Sequence, residues 1–177
     1  MFENFNISPL LKEEEIKSRV AELGAELTEK FKDKKAIAIC VLKGSIMFYS
    51  DLIREIKTDL VCEFLAVSSY GNSTKSTGEV KLTLDLNNPI EGRDVIIIED
   101  IVDTGLTLNY LVNNLKSRNP KSLTTCSLLF KPDALKVECS IDHVGFKIPN
   151  DFVVGYGLDY QGHYRNLPYI GQVKSLN

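Results

Sequence analysis

The run Val95-Ile96-Ile97-Ile98, entered from Asp94 and left through Glu99 and Asp100, is the feature that most limits how this chain can fold. Four consecutive β-branched residues leave no polar face, so 94–99 is predicted to be a strand buried on both sides. Such a strand needs helices above and below it. Ala36 to Leu42 is a second nearly unbroken apolar run, followed from Ser45 to Ile56 by apolar residues at helical spacing. Leu108, Leu111, Val112 and Leu115 mark a further amphipathic helix that ends before Asn119-Pro120. Other strand candidates are Leu60 to Val67, Glu79 to Leu86 (alternating through Val80, Leu82, Leu84 and Leu86), Leu123 to Phe130, and Phe152-Val153-Val154. Strands alternating with helices predict an α/β fold with a mainly parallel twisted sheet flanked by helices. Ligands bind such sheets outside the carboxyl ends of the strands.

Ser8-Pro9 reads as a helix start, with Ser8 as cap and Pro9 in the first turn. Ile16, Val20, Leu23 and Leu27 then form one apolar face opposite Lys12, Glu13, Lys17 and Glu26. At 177 residues and 44% hydrophobic content, the chain fits one domain with a sizeable core. The net charge of −3, from 21 basic and 24 acidic residues spread along the chain, argues against a nucleic-acid or membrane footprint and favours small-molecule partners. No signal-peptide pattern or bilayer-length apolar stretch is visible, so a soluble, cytoplasmic protein is expected. Cys40, Cys62, Cys126 and Cys139 lack the close spacings of zinc or redox motifs and are read as reduced. His143 and His163 fit no ligand pattern and are read as surface or loop residues.

What leaves the 94–99 strand carries the chemistry. Glu99, Asp100 and Asp103 fall within five residues, and three nearby carboxylates repel unless hydroxyls, cations or amides relieve them. Thr104, Gly105 and Thr107 open the next helix, where free N–H groups, a permissive glycine and two hydroxyls make a cup for a phosphate. Glu99 and Asp100 can accept from ribose hydroxyls while that cup holds a 5′-phosphate, as an acid grips ribose in dinucleotide folds. Acids that merely favour a helix dipole, with Thr104 as cap, are the plainer explanation. That explanation leaves the two acids at the strand end unaccounted for.

Val95 to Thr107 resembles the signature of the type I phosphoribosyltransferases: a hydrophobic strand, two acids, two apolar residues, then Asp-Thr-Gly-x-Thr. The resemblance extends from about the first helix to Gln172. It implies a single domain over 1–177, with a small hood built from the N-terminal segment and about 132–177, and phosphoribosyl diphosphate as ligand. Leu106 occupies the variable slot of the cup, where some members carry lysine.

Other segments are similar to the hypoxanthine-guanine branch. Leu42-Lys43-Gly44 matches a loop that holds pyrophosphate in that family, often through a non-proline cis peptide. Ser69 and Tyr70, with the polar stretch Gly71 to Gly78, match a lid that shields a developing ribosyl cation from water. Phe152 to Tyr160 resembles the purine-binding segment, with Phe152 stacking on the base, Ile101 beside it, and carbonyls near Val153 and Asp159 accepting guanine's 2-amino group. Lys131 offers only donors, which suits a 6-oxo group and opposes adenine. The resemblance also implies that Asp159 lies near a magnesium ion carrying the pyrophosphate, Arg165 meets pyrophosphate oxygens, and Asp103 takes the proton from purine N7. Each residue has a plainer role when taken alone: core, turn former, surface ion pair.

The function expected is transfer of the 5-phosphoribosyl group to hypoxanthine, and to guanine, in purine salvage, with Mg2+ as cofactor and a homodimer or homotetramer as the assembly. Two alternatives remain. A regulatory protein of the same fold would sense phosphoribosyl diphosphate and bind nucleic acid, but that requires a basic surface or an added DNA-binding segment. A xanthine- or adenine-directed relative is opposed by Lys131 together with Phe152 to Asp159.

Overall fold

The computed structural model describes residues 5–69 and 80–175. In chain order the elements are β1 (Phe5–Leu11), α1 (Glu13–Lys30), β2 (Ala36–Leu42), α2 (Ile46–Glu55), β3 (Leu60–Ser69), β4 (Val80–Leu84), β5 (Asp94–Val102), α3 (Leu106–Lys116), β6 (Ser122–Phe130), β7 (His143–Lys147), β8 (Val153–Val154) and β9 (Ile170–Ser175). A single 3-10 turn, Pro132–Ala134, follows β6.

A six-stranded sheet runs in the order β4-β3-β2-β5-β6-β7, and a separate three-stranded sheet runs β1-β9-β8. In the larger sheet β3, β2, β5, β6 and β7 are parallel, and only β4 joins antiparallel. The two apolar runs β2 and β5 are its middle strands. Alternation along them divides their side chains between two cores. Ala36, Ala38, Cys40, Ile96 and Ile98 pack with α1 and α2, while Ile37, Ile39, Val41, Val95 and Ile97 pack with Leu108, Leu111 and Leu115 of α3. Burial on both faces explains why neither run has a polar side.

After β2 the chain proceeds outward through β3, whereas after β5 it proceeds the other way through β6 and β7. The strand order therefore reverses between β2 and β5, and a crevice opens at their carboxyl ends. The segments at the carboxyl ends of those two strands are Leu42-Lys43-Gly44 and Glu99 to Gly105.

Ser8-Pro9 does not start a helix. Both residues lie in β1, an edge strand whose partner β9 is supplied from the far end of the chain. Proline lacks an amide donor and is tolerated on an edge, where the ladder here turns irregular between Pro9 and Leu11. The helix begins instead at Glu13, with Lys12 at its cap position and its N–H donating to Glu15 at 2.8 Å. The expected face of Ile16, Val20, Leu23 and Leu27 is buried.

Three further differences have local causes. The alternation expected to Leu86 stops at Leu84, because a register shift opposite Ala66 and Val67 leaves Leu84 44% exposed. β5 continues beyond Glu99 to Val102, because β6 extends beside it as far as Phe130. His143, expected as a surface or loop residue, belongs to β7, and its Nδ1 lies 2.7 Å from Glu26 of α1. The cysteines are all free thiols, as read from the sequence, with Cys40 and Cys126 buried and Cys62 exposed.

Helices α1 and α2 are in close contact at Gly24, where an added Cβ would collide with Glu55 of α2. Gly24→Val is expected to force the helices apart and lower stability by about 1–3 kcal/mol. The midpoint of urea unfolding measures this, and an unchanged midpoint would show that the pair separates freely.

Candidate active site

The crevice between β2 and β5 contains two adjoining clefts. One, of about 270 Å³, is lined by Leu42, Gly44, Glu99, Asp100, Thr104, Gly105 and Thr107. The other, of about 340 Å³, is lined by Lys43, Lys131, Phe152, Val153, Asp159 and Arg165. Gly44, Asp100, Ile101 and Asp103 border both.

In the first cleft, Gly105 caps α3 in the left-handed conformation at φ 80°, which glycine adopts without strain. That turn presents the first amides of α3, with Leu106 and Thr107 in the first turn and Thr104 before it. The back of the turn is braced by the Lys136 N–H, which donates to the Thr104 carbonyl at 2.9 Å. No acid lies in the first turn of α3, so the positive end of the helix faces the cleft uncancelled by its own side chains.

Glu99 and Asp100 lie inside the strand. Glu99 is only 6% exposed, and burial pushes its carboxyl well above the usual carboxylate range, the Asp100 charge adding and a hydrogen bond from Ser45 opposing. Asp100 is pushed up to about 6, chiefly by burial, with the Ile101 amide and Arg165 pulling back and Asp159 adding. The Ile101 N–H donates to Asp100 Oδ1 at 2.7 Å, and the Asp100 N–H donates to Ser45 Oγ at 2.9 Å. Ser45 itself, immediately after Gly44, was missed by sequence reading, which sees only a residue suited to starting α2.

The loop after β2 fits tightly against these acids. The Leu42–Lys43 peptide is cis. A Cβ on Gly44 would fall 1.6 Å from Asp100 Oδ2. On its other side the Gly44 carbonyl oxygen would lie 2.0 Å from a Cβ on Gly157.

In the second cleft, Lys131 is buried and its Nζ donates to Asp103 Oδ2 at 3.1 Å. Phe152 is 52% exposed and meets Tyr160 edge-on at 5.7 Å, while Val153 is buried in β8. Arg165 bridges to Asp159 Oδ1 at 2.6 Å and donates to the Gly157 carbonyl at 2.7 Å. Asp159 also accepts from the Gly162 N–H at 2.6 Å. Tyr156, between Gly155 and Gly157, donates to Asp51 of α2 at 2.6 Å. This second contact of the segment with the body of the protein is not visible in the sequence pattern.

Every candidate except Leu106 and the lid thus borders one crevice. Ser69 ends β3, while Tyr70 and 71–78 lie outside the described residues. Among the described residues no group of three or more His, Cys, Asp or Glu side chains is arranged to hold a metal ion. No described helix is long and apolar enough to cross a membrane.

A parallel sheet whose switch point joins paired acids to a glycine-capped helix defines a protein built to bind a phosphorylated sugar. A model of the phosphoribosyl transferase domain matches residues 6–161. The hypoxanthine-guanine phosphoribosyltransferase of Bacillus subtilis is 55% identical over 165 residues, 93% of this chain and 92% of that one. The enzyme of the same name from Mycobacterium avium is 52% identical over 93% of this chain and 84% of its own. A crystal structure of a hypoxanthine phosphoribosyltransferase from Staphylococcus aureus superposes with a TM-score of 0.90 at 50% identity, covering 94% of this chain and 91% of the other. The chain belongs to the phosphoribosyltransferase family, within its hypoxanthine-guanine branch.

The raised carboxyl of Asp100 has a measurable cost. Between its ordinary value near 3.8 and about 6 the folded protein holds a proton that the unfolded chain releases, so stability declines as pH rises through that window. Asp100→Asn is expected to exceed the unmodified protein in stability by about 1–2 kcal/mol at pH 8, with little difference at pH 4. Urea unfolding at both pH values tests this, and an equal effect at each would contradict it.

Proposed function

We propose that the enzyme transfers the 5-phosphoribosyl group of phosphoribosyl diphosphate to hypoxanthine and guanine, releasing pyrophosphate and forming IMP or GMP. The observation that carries this reading is the meeting of the two clefts at Asp103, with a donor-only lysine buried beside it.

In this proposal the amides and hydroxyls of Thr104 to Thr107 hold the 5′-phosphate, and Glu99 and Asp100 accept from the ribose hydroxyls. Leu42, Lys43, Gly44 and Arg165 face the pyrophosphate. The base lies between Ile101 and Phe152, bordered by Val153 and Asp159. Lys131 donates to its 6-oxo group, whereas adenine's 6-amino group would place donor against donor. As the C1′–oxygen bond to pyrophosphate breaks, C1′ gains oxocarbenium character and N9 bonds to it. Asp103 accepts the proton from N7, which removes the positive charge the base acquires. The small sheet β1-β9-β8 serves as a hood that carries Val153 over the base, within one domain, and Ser69 with Tyr70 contributes to a lid.

Magnesium fits this donor set only as a partner of the substrate. Asp159 offers a single partly exposed carboxylate, already paired with Arg165, which suits a cation held by one side chain, water and substrate phosphates. When bound, it offsets negative charge on the departing pyrophosphate. A homodimer or homotetramer working in the cytoplasm completes the proposal, on the strength of the family resemblance.

Purified protein incubated with magnesium, phosphoribosyl diphosphate and each purine in turn is expected to yield nucleotide from hypoxanthine and guanine. Its kcat/KM for these should exceed that for adenine by about 10³-fold or more. No product from any 6-oxopurine would sink the enzymatic reading. Asp103→Asn is expected to reduce kcat by about 10²-fold with both KM values nearly unchanged. Near-normal turnover would remove Asp103 from the chemistry.

A further inference from the structure

Ser45 occupies the point where α2 begins, a place where a serine hydroxyl ordinarily accepts from the amides of its own first turn. Here it does not. Its backbone is already helical, at φ −74° and ψ −8°, and its side chain makes no capping bond. The residue is 0% exposed, so a hydroxyl left without partners would be costly. It turns instead toward β5, accepting from the Asp100 N–H at 2.9 Å and lying 3.5 Å from Glu99 Oε2.

These two contacts fix a direction. An amide N–H can only donate, so the Asp100 amide claims a lone pair of the Ser45 oxygen and leaves the hydroxyl proton to be directed at Glu99. Among the described residues this is the side-chain hydrogen bond that the Glu99 carboxylate makes. A glutamate has three rotatable bonds and loses freedom when it must meet a ligand in one orientation. A buried donor on one oxygen restricts that freedom beforehand and leaves the other oxygen for a ligand.

We infer that Ser45 is a positioning residue for phosphoribosyl diphosphate, acting by orienting the Glu99 carboxylate toward the ribose hydroxyls. The inference rests on the assignment of Glu99 to ribose. It also gives the loop after β2 a second task beside facing pyrophosphate, since Gly44 and Ser45 are consecutive and each touches a different part of the acidic strand.

A double-mutant cycle separates this role from a merely structural one. Ser45→Ala is expected to raise KM for phosphoribosyl diphosphate about tenfold and leave KM for hypoxanthine unchanged. In a Glu99→Gln background the same change should alter KM for phosphoribosyl diphosphate by less than about twofold. Ser45→Cys, which keeps a weak donor on a slightly larger side chain, is expected to retain part of the lost affinity. Should Ser45→Ala fold poorly, Ser45→Cys compared in the two backgrounds serves the same purpose. Equal factors in both backgrounds, or a parallel rise in both substrates' KM, would overturn the inference. If Glu99→Gln alone raises KM while the Ser45 variants do not, only the inference about Ser45 fails. If Glu99→Gln leaves KM untouched, the ribose assignment fails, and the role of Ser45 with it.

Discussion

Two neighbouring carboxylates held inside a buried strand form the constraint around which the rest of this molecule is arranged. Desolvation opposes ionisation of both Glu99 and Asp100, and their mutual repulsion makes the cost larger. The fold tolerates this because the pair sits at the mouth of the β2–β5 crevice, where amides from the strand and a hydroxyl from the start of α2 reach them. A sheet with its strand order reversed elsewhere would place the same residues against a helix, with no room for a ligand. The position of the reversal and the position of the acids are thus two aspects of one requirement.

Much of this was legible in the sequence because it depends on local pattern. The runs at 36–42 and 94–99 announced buried parallel strands, the face from Ile16 to Leu27 announced α1, and Thr104 to Thr107 announced the start of α3. What escaped were pairings between distant parts of the chain. β1 and β9 lie at opposite ends of the sequence and β1 pairs only with β9 among the described strands, so Ser8-Pro9 followed by acids reads locally as a helix signal. β7 escaped for a related reason. Its residues, His143 to Lys147, are half-buried and weakly patterned, and its place is secured by β6 and by Arg19, which donates to the carbonyls of Val144 and Gly145 at 2.9 and 3.1 Å.

The site shows the same division. Sequence motifs identified residues that touch the crevice directly, because the acid pair and the start of α3 are close together in the chain. They could not identify Ser45, whose meaning comes from a strand 54 residues away. Nor could they show that Lys131 meets Asp103, or that Tyr156 is tethered to α2 through Asp51. Each of these contacts joins segments that are independent in the sequence and adjacent only after folding.

The backbone contact between Gly44 and Gly157 carries one more consequence. Under the proposed function, Gly44 belongs to the wall that faces the departing group, and Gly157 to the segment that borders the base. With no side chain between them, a shift of either wall is transmitted to the other without a cushion. On that proposal, mutational drift in the 152–159 segment that retunes base preference is expected also to disturb the grip on pyrophosphate. The two specificities of such an enzyme are expected to evolve together, along a narrow corridor of compensating changes.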